Sequence, residues 1–327
     1  MEFVVCCPVS SADHSNGVIA MIRLSSVLNE VGFKSRICVL APHPHEDLPI
    51  SMTMLSREAA KPDNDGVRNF LISINREIAT HSITDIFDPD LEALPQDCVL
   101  VYPEVISGNP LGGEKIVRML GNRDGMLSGQ KVADGANNAE FYLSHSKLVH
   151  PSAHHYLFFA EQNALFSLEG AIPISQRVMD LTYIGKGELY ANHHSIIKDS
   201  VEITRMWPQH KNQLAALLKS TRFLFTYDSY SNLNVEAVLS GVVPVLLGGD
   251  KWTADEIDGG ELGKLPVLRA DELDLTNPLM PDGFLDHYNV LRKQLIQRIN
   301  KYNEQYPRDV ALFGKKCSEF FWGKVAA

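Results

Sequence analysis

Apolar residues fall in short unbroken runs, each closed by a polar or glycine- and proline-marked loop. These runs alternate with stretches whose apolar positions recur every third or fourth residue. The first run, FVVCC over residues 3–7, is halted by Pro8, as expected of a strand buried on both faces. Residues 18–31 put Ile19, Ile22, Val27 and Leu28 on a broad helical face, with Gly32 placed to end the helix. Residues 35–40, SRICVL, make the next strand, so the chain opens with a strand–loop–helix–strand unit of an α/β sheet. Residues 43–54 are rich in proline and polar side chains and predict a loop or irregular edge structure, whereas residues 67–78 predict a helix. Residues 97–102, DCVLVY, are a further strand ending at Pro103-Glu104, and 114–120, EKIVRML, predict a short helix behind a glycine-rich turn. From 122 to 170 no durable period emerges.

A second α/β pattern starts near residue 178, with a strand over 181–184 before Gly185-Lys186-Gly187 and a helix over 211–218. Residues 221–226, TRFLFT, are a strand leading into a polar loop, 233–239 a short helix ended by Gly241, and 242–247 another strand that starts at or after Pro244. Two amphipathic helices, 284–302 and 308–322, close the chain, and Phe320, Phe321 and Trp322 are expected as core or interface material. The fold class is therefore α/β, with two facing Rossmann-like domains and a cleft between them. The expected first domain is 1–172 and the second 173–305, with 306–327 packing back toward the first.

Composition narrows the function classes. A net charge of −10 disfavours broad capture of nucleic acid or anionic membrane. No apolar stretch approaches the roughly 20 residues of a membrane-spanning helix, and no basic region leads into a signal-peptide core, so a cytoplasmic enzyme is expected. It would work beside a membrane where a lipid carries its acceptor. The five cysteines, Cys6, Cys7, Cys38, Cys98 and Cys317, contain no CxxC pair and fit buried thiols. His145, His150, His154, His155, His193 and His194 have no Asp, Glu or Cys at metal-site spacing, so no metal is expected.

The densest chemistry lies in YDSYSNLNVEAVLSGVVPV, residues 227–245, where seven residues separate Asp228 in a loop from Glu236 near the start of the next helix. Carboxylates so placed accept hydrogen bonds from hydroxyls, and helix-start amides receive phosphate oxygens. This segment resembles the retaining branch of the two-Rossmann-domain, or GT-B, glycosyltransferases, including those of bacterial polysaccharide synthesis. That family's pattern has two acidic residues with seven residues between them, followed by a Gly-x-Pro-Val-like ending. The resemblance implies that Glu236 contacts the nucleotide ribose and that Asp228, where glutamate is commoner, acts at the transferred sugar. Ser231, Asn232 and Asn234 replace a more glycine-rich loop and would share in holding the donor. Lys186, between two glycines after a strand, is the expected diphosphate ligand, with Arg205 and Lys211 as secondary candidates.

In the first domain, Asn16-Gly17 precedes a helix that directs amides outward, and Asp13 and His14 are candidates to orient an acceptor hydroxyl. Glu104, Gly108 and Asn109, in YPEVISGNPLGG, form the other strand-end cluster, with Glu104 positioning the acceptor. The resemblance implies transfer of a sugar from a nucleotide-sugar donor to a saccharide or glycolipid hydroxyl, with retention, without cofactor or obligatory metal, in surface polysaccharide or glycan synthesis. If the outcome were inversion, Asp13, His14 or Glu104 would be the base. Two alternatives stay open: a nucleotide-sugar epimerase, and a non-catalytic sugar-binding or assembly module.

Overall fold

The computed structural model describes residues 1–8, 15–41, 50–51, 94–126, 129, 131–132, 139–160, 163–186, 199–204, 207–248, 252–274 and 278–323. The predicted helix over 67–78 lies outside them. The chain divides into two compact α/β units, Met1–Phe159 with Tyr302–Ala327, and Ala160–Lys301.

The first unit is built on β1 (Glu2–Pro8), α1 (Asn16–Glu30), β2 (Lys34–Ala41), β3 (Ile50–Ser51), β4 (Cys98–Pro103), β5 (Lys115–Leu120), β6 (Glu140–Ser144) and β7 (His155–Tyr156). Its sheet runs β3-β2-β1-β4-β5-β6-β7, parallel except for the antiparallel β2–β3 pair. The uninterrupted apolar runs have a direct cause: both faces of the sheet are buried. Phe3, Val5 and Cys7 point to one core with Val39, Val101 and Val117, and Val4 and Cys6 point to the other with Leu40, Leu100 and Tyr102. α1 is capped by Ser15, whose Oγ accepts from Val18 N, and Gly32 closes it at φ +92°.

Residues 115–120 are strand β5, parallel to β4 and β6, and not the predicted helix. A six-residue run with adjacent Ile116 and Val117 suits a doubly buried strand better than one turn and a half of helix.

The second unit comprises β8 (Met179–Tyr183), β9 (Val201–Ile203), α2 (Lys211–Ser220), β10 (Thr221–Thr226), α3 (Asn232–Leu239), β11 (Val243–Leu246), α4 (Ala254–Asp258), β12 (Leu268–Arg269) and the start of α5 (Phe284–Trp322). Its parallel sheet has the order β12-β11-β10-β8-β9. β11 begins at Val243, and Pro244 sits inside it between β10 and β12, in register with Leu224, so the strand does not wait for the proline to pass. The buried Arg177 joins three segments: its guanidinium donates to the carbonyls of Ile172 (2.7 Å), Thr221 (2.8 Å), Gly241 (2.9 Å) and Ser240 (3.2 Å).

The two predicted terminal helices are one 39-residue helix, α5, which continues through Pro307. Proline inside a helix costs about 3 kcal/mol. Here Tyr306, Val310, Phe313 and Cys317, at helical spacing, bury one stripe in the first unit's core and hold the helical path. Gly314 lies where a Cβ would fall on the Phe33 ring, so glycine permits the close approach. Phe321 packs against the same core, whereas Phe320, which meets Phe141 edge-on at 5.5 Å between centroids, and Trp322 are exposed. Among the described residues no helix is long and apolar enough to cross a membrane.

Candidate functional site

In an open parallel sheet the natural crevice lies beyond the strands' carboxyl ends, where the winding reverses direction. In the second unit β8 leads outward to β9, and the chain then returns to place β10 on the other side of β8. The reversal therefore falls between β8 and β10. Lys186 follows β8 and Asp228 follows β10, so topology alone brings these two loops together.

The contact between them is close. The Lys186 amide donates to Asp228 Oδ2 at 3.2 Å, its ammonium lies 3.5 Å from Oδ1, and the ammonium also donates to the Tyr230 carbonyl at 2.9 Å. Asp228 is only 2% exposed, so this pair is held in a weakly screened setting. Gly185 makes the approach possible: its φ is +56°, and a Cβ there would stand 2.7 Å from Asp228 Oδ2 and 2.5 Å from the Tyr183 ring. Only glycine meets both demands.

The loop after β10 is fixed from below. The Asp228 amide donates to Thr226 Oγ1 at 3.0 Å, and Asn234 Nδ2 donates to the carbonyls of Asp228 and Ser229, each at 3.0 Å. Ser231 caps α3 by accepting from Leu233 N at 3.3 Å. The amino end of an eight-residue helix thus opens immediately after the Lys186–Asp228 contact, a setting for a phosphate.

Glu236 is the fifth residue of α3, one turn further in than a helix start, and only 6% exposed. Its Oε1 accepts from Asn232 Nδ2 at 3.1 Å and from the Lys211 ammonium at 2.9 Å. The carboxyl end of α3 is held by Tyr288, whose hydroxyl donates to the carbonyls of Val238 and Val242, and by Arg292, which donates to those of Val238 and Leu239. Arg177 takes the next two carbonyls. Two guanidinium groups at that end complement the helix dipole and fix the axis of α3. None of these three anchors carries a local sequence signal, because their partners are backbone atoms about 50 to 65 residues away.

The second-unit candidates Lys186, Asp228, Ser231, Asn232, Asn234 and Glu236 therefore lie on one strand edge and helix. Asn234 serves the loop's main chain, and Lys211 enters as the partner of Glu236. Arg205 lies outside the described residues.

In the first unit the winding reverses between β1 and β4. Asp13 and His14, between β1 and α1 in the sequence, lie outside the described residues. Asn16 and Gly17 are in the first turn of α1, and among the described residues a Cβ at Gly17 would meet Ser15 Oγ at 3.6 Å, an ordinary contact. Glu104 follows β4 and is buried; one carboxylate oxygen accepts from Gly121 N at 3.0 Å and the other from Asn122 Nδ2 at 2.8 Å. It ties the β4 loop to the β5 loop. Gly108 gives its carbonyl to Arg118 at 2.6 Å, and Asn109 bonds Tyr102 and both backbone groups of Gly113. Those two residues shape the loop.

Among the described residues, the other histidines and cysteines named from the sequence make contacts within the fold itself, with His155 buried and His154 exposed. His155 Nε2 meets the Asp309 carbonyl at 3.0 Å, and burial holds its pKa below the usual histidine value. His154 Nδ1 accepts from Tyr142 N, and His145 lies 4.4 Å from the Phe158 ring between centroids. His193 and His194 lie outside the described residues. All five cysteines are buried free thiols, and burial pushes Cys7 up to about 12 and Cys6 and Cys317 well above the ordinary thiol range. Among the described residues no three His, Cys, Asp or Glu side chains gather as a metal site.

The sequence matches no protein-family model and no curated protein. Among solved structures the chain is similar to CalG4, the calicheamicin glycosyltransferase, with 13% identity, 99% of each chain covered and a TM-score of 0.41. It is also similar to Os79 from O. sativa in complex with UDP, with 11% identity over 97% of this chain and 100% of that one and a TM-score of 0.41. An alpha-glucosyltransferase in complex with UDP and a 13-mer DNA gives 9% identity over 99% and 95% of the two chains and a TM-score of 0.38. At such identities and scores no residue's role passes from one chain to another.

Proposed function

We propose that the chain is a nucleotide-sugar-dependent glycosyltransferase of the GT-B kind, with its donor held by the second unit. The observation that carries this reading is the meeting of Lys186 and Asp228 at the β8/β10 reversal, directly before the capped start of α3. A cation, an amide-rich helix start and a buried carboxylate suit a diphosphate joined to a polyhydroxyl group. Lys186 and the first amides of α3 would bind the diphosphate, Glu236 the ribose hydroxyls, and Asp228 would act at the sugar while setting the Lys186 loop.

In the reaction, an acceptor hydroxyl oxygen bonds to the anomeric carbon as the bond from that carbon to the diphosphate oxygen breaks. The electron pair leaves with the diphosphate, whose charge Lys186 and the helix start stabilise. We further propose retention, in which the leaving phosphate takes the acceptor proton. That choice follows the resemblance of residues 227–245 to the retaining branch, and Glu104, which accepts from Gly121 N and Asn122 Nδ2, is already used to tie the β4 and β5 loops together. A role in surface polysaccharide or glycan synthesis, at a membrane face where the acceptor is a glycolipid, is part of the same proposal.

A mass-shift screen of UDP-, GDP- and dTDP-sugars against saccharide and lipid acceptors tests it. One donor–acceptor pair should gain a hexose-class mass with release of the nucleoside diphosphate, and the product anomer should match the donor's by NMR. Donor isomerisation without an acceptor would identify an epimerase, and an inverted product would reject retention.

A further inference from the structure

Lys211 is the first residue of α2, where the helix dipole disfavours a cation, and it is 9% exposed, where desolvation disfavours one again. The capping residue His210 makes no side-chain cap bond, and the first turn of α2 holds no acidic residue to compensate. Its ammonium is instead directed to Glu236 Oε1 at 2.9 Å and stands 5.7 Å from the Phe166 ring centroid. Asn232 donates to the same oxygen from one turn back along α3. A buried ion pair of this kind adds little net stability over an apolar pair, so its placement asks for another reason.

We infer that Lys211 is a positioning residue for the donor site, holding the Glu236 carboxylate ionised and in one orientation for the nucleotide's ribose hydroxyls. The inference rests on the donor-site reading and deepens it: Glu236 is the group that touches the donor, and Lys211 acts through it. The charged and titratable groups around α3, among the described residues, are consistent with that division. Lys186 and Asp228 face its amino end, Arg177, Arg292 and Tyr288 face its carboxyl end, and Lys211 meets Glu236 at mid-helix. Without Lys211 the carboxylate keeps its burial but loses this cation, and its proton affinity rises. A protonated Glu236 then accepts hydrogen bonds poorly.

The test is calorimetric titration of the full chain with UDP, GDP and dTDP, followed with whichever binds most tightly, at about pH 6 and about pH 8.5. In Lys211→Met the dissociation constant should rise on the order of tenfold at the lower pH and recover most of that at the higher pH. Lys211→Arg, which keeps the charge, should stay within about twofold of the parent. In a Glu236→Gln background, Lys211→Met should add less than about twofold at either pH, because its effect passes through the missing carboxylate. If Lys211→Met does not fold, Lys211→Gln carries the same comparison. An equal loss in both backgrounds, or a loss that does not depend on pH, would show Lys211 acting on its own and overturn the inference. Unchanged affinity in Glu236→Gln alone is a different failure: it removes the donor-site reading, and the role of Lys211 with it.

Discussion

Asp228 is bound to Lys186 twice, once through the backbone amide and once through the ammonium, so one carboxylate sets both the path of the Lys186 loop and the direction of its charge. Asn at this position keeps the shape and an acceptor for the amide but gives up the charge. Asp228→Asn is therefore expected to lower the transfer rate by roughly 10- to 100-fold, the loss of a charge-assisted bond of about 1.5–3 kcal/mol, while the folded state persists. Initial rates at saturating donor, with thermal unfolding run in parallel, check this; an unchanged rate would remove Asp228 from the working centre. The two ends of this contact lie 42 residues apart. Lys186 and Asp228 stand out singly in the sequence, by a glycine-flanked lysine and an acidic pair with seven-residue spacing, but their meeting depends on which strands are neighbours. Glu236 shows the limit of that spacing: counted from the loop it lies near a helix start, yet Ser231 caps α3 early enough to put it one turn inside, facing Lys211.

Elements were legible in the sequence where burial imposes a simple period. β1, β2, β4 and β10 follow their apolar runs closely, and α1 ends at the glycine that marks its end. β5 and α5 escaped because their state is decided by distant partners: a strand slot between β4 and β6 for one, a buried stripe that carries the helix past Pro307 for the other. α3 owes its position to such distant partners too. Arg177 satisfies the carbonyls of Ser240, Gly241 and Thr221 at once, so Arg177→Met would leave buried acceptors unpaired. The expected cost is about 3 kcal/mol or more, seen as a lower urea midpoint with an unchanged slope. A midpoint equal to the parent's would mean that α3 does not depend on this clamp.

At the scale of the whole molecule, both sheets place their winding reversal next to the strand whose following loop carries candidate polar groups, Glu104 after β4 and Asp228 after β10. The sequence conveyed two α/β units through its repeated strand–helix pattern, and the order of strands within each sheet through nothing local. The central claim is that the second unit's β8/β10 edge holds a nucleoside diphosphate. Hydrogen–deuterium exchange of the full chain, with and without millimolar UDP, GDP or dTDP, tests this most directly. One nucleotide should slow exchange in 183–186 and 228–236 while α1 and the strands of the first sheet stay unchanged. Protection confined to other segments, or none with any of the three, would contradict the account.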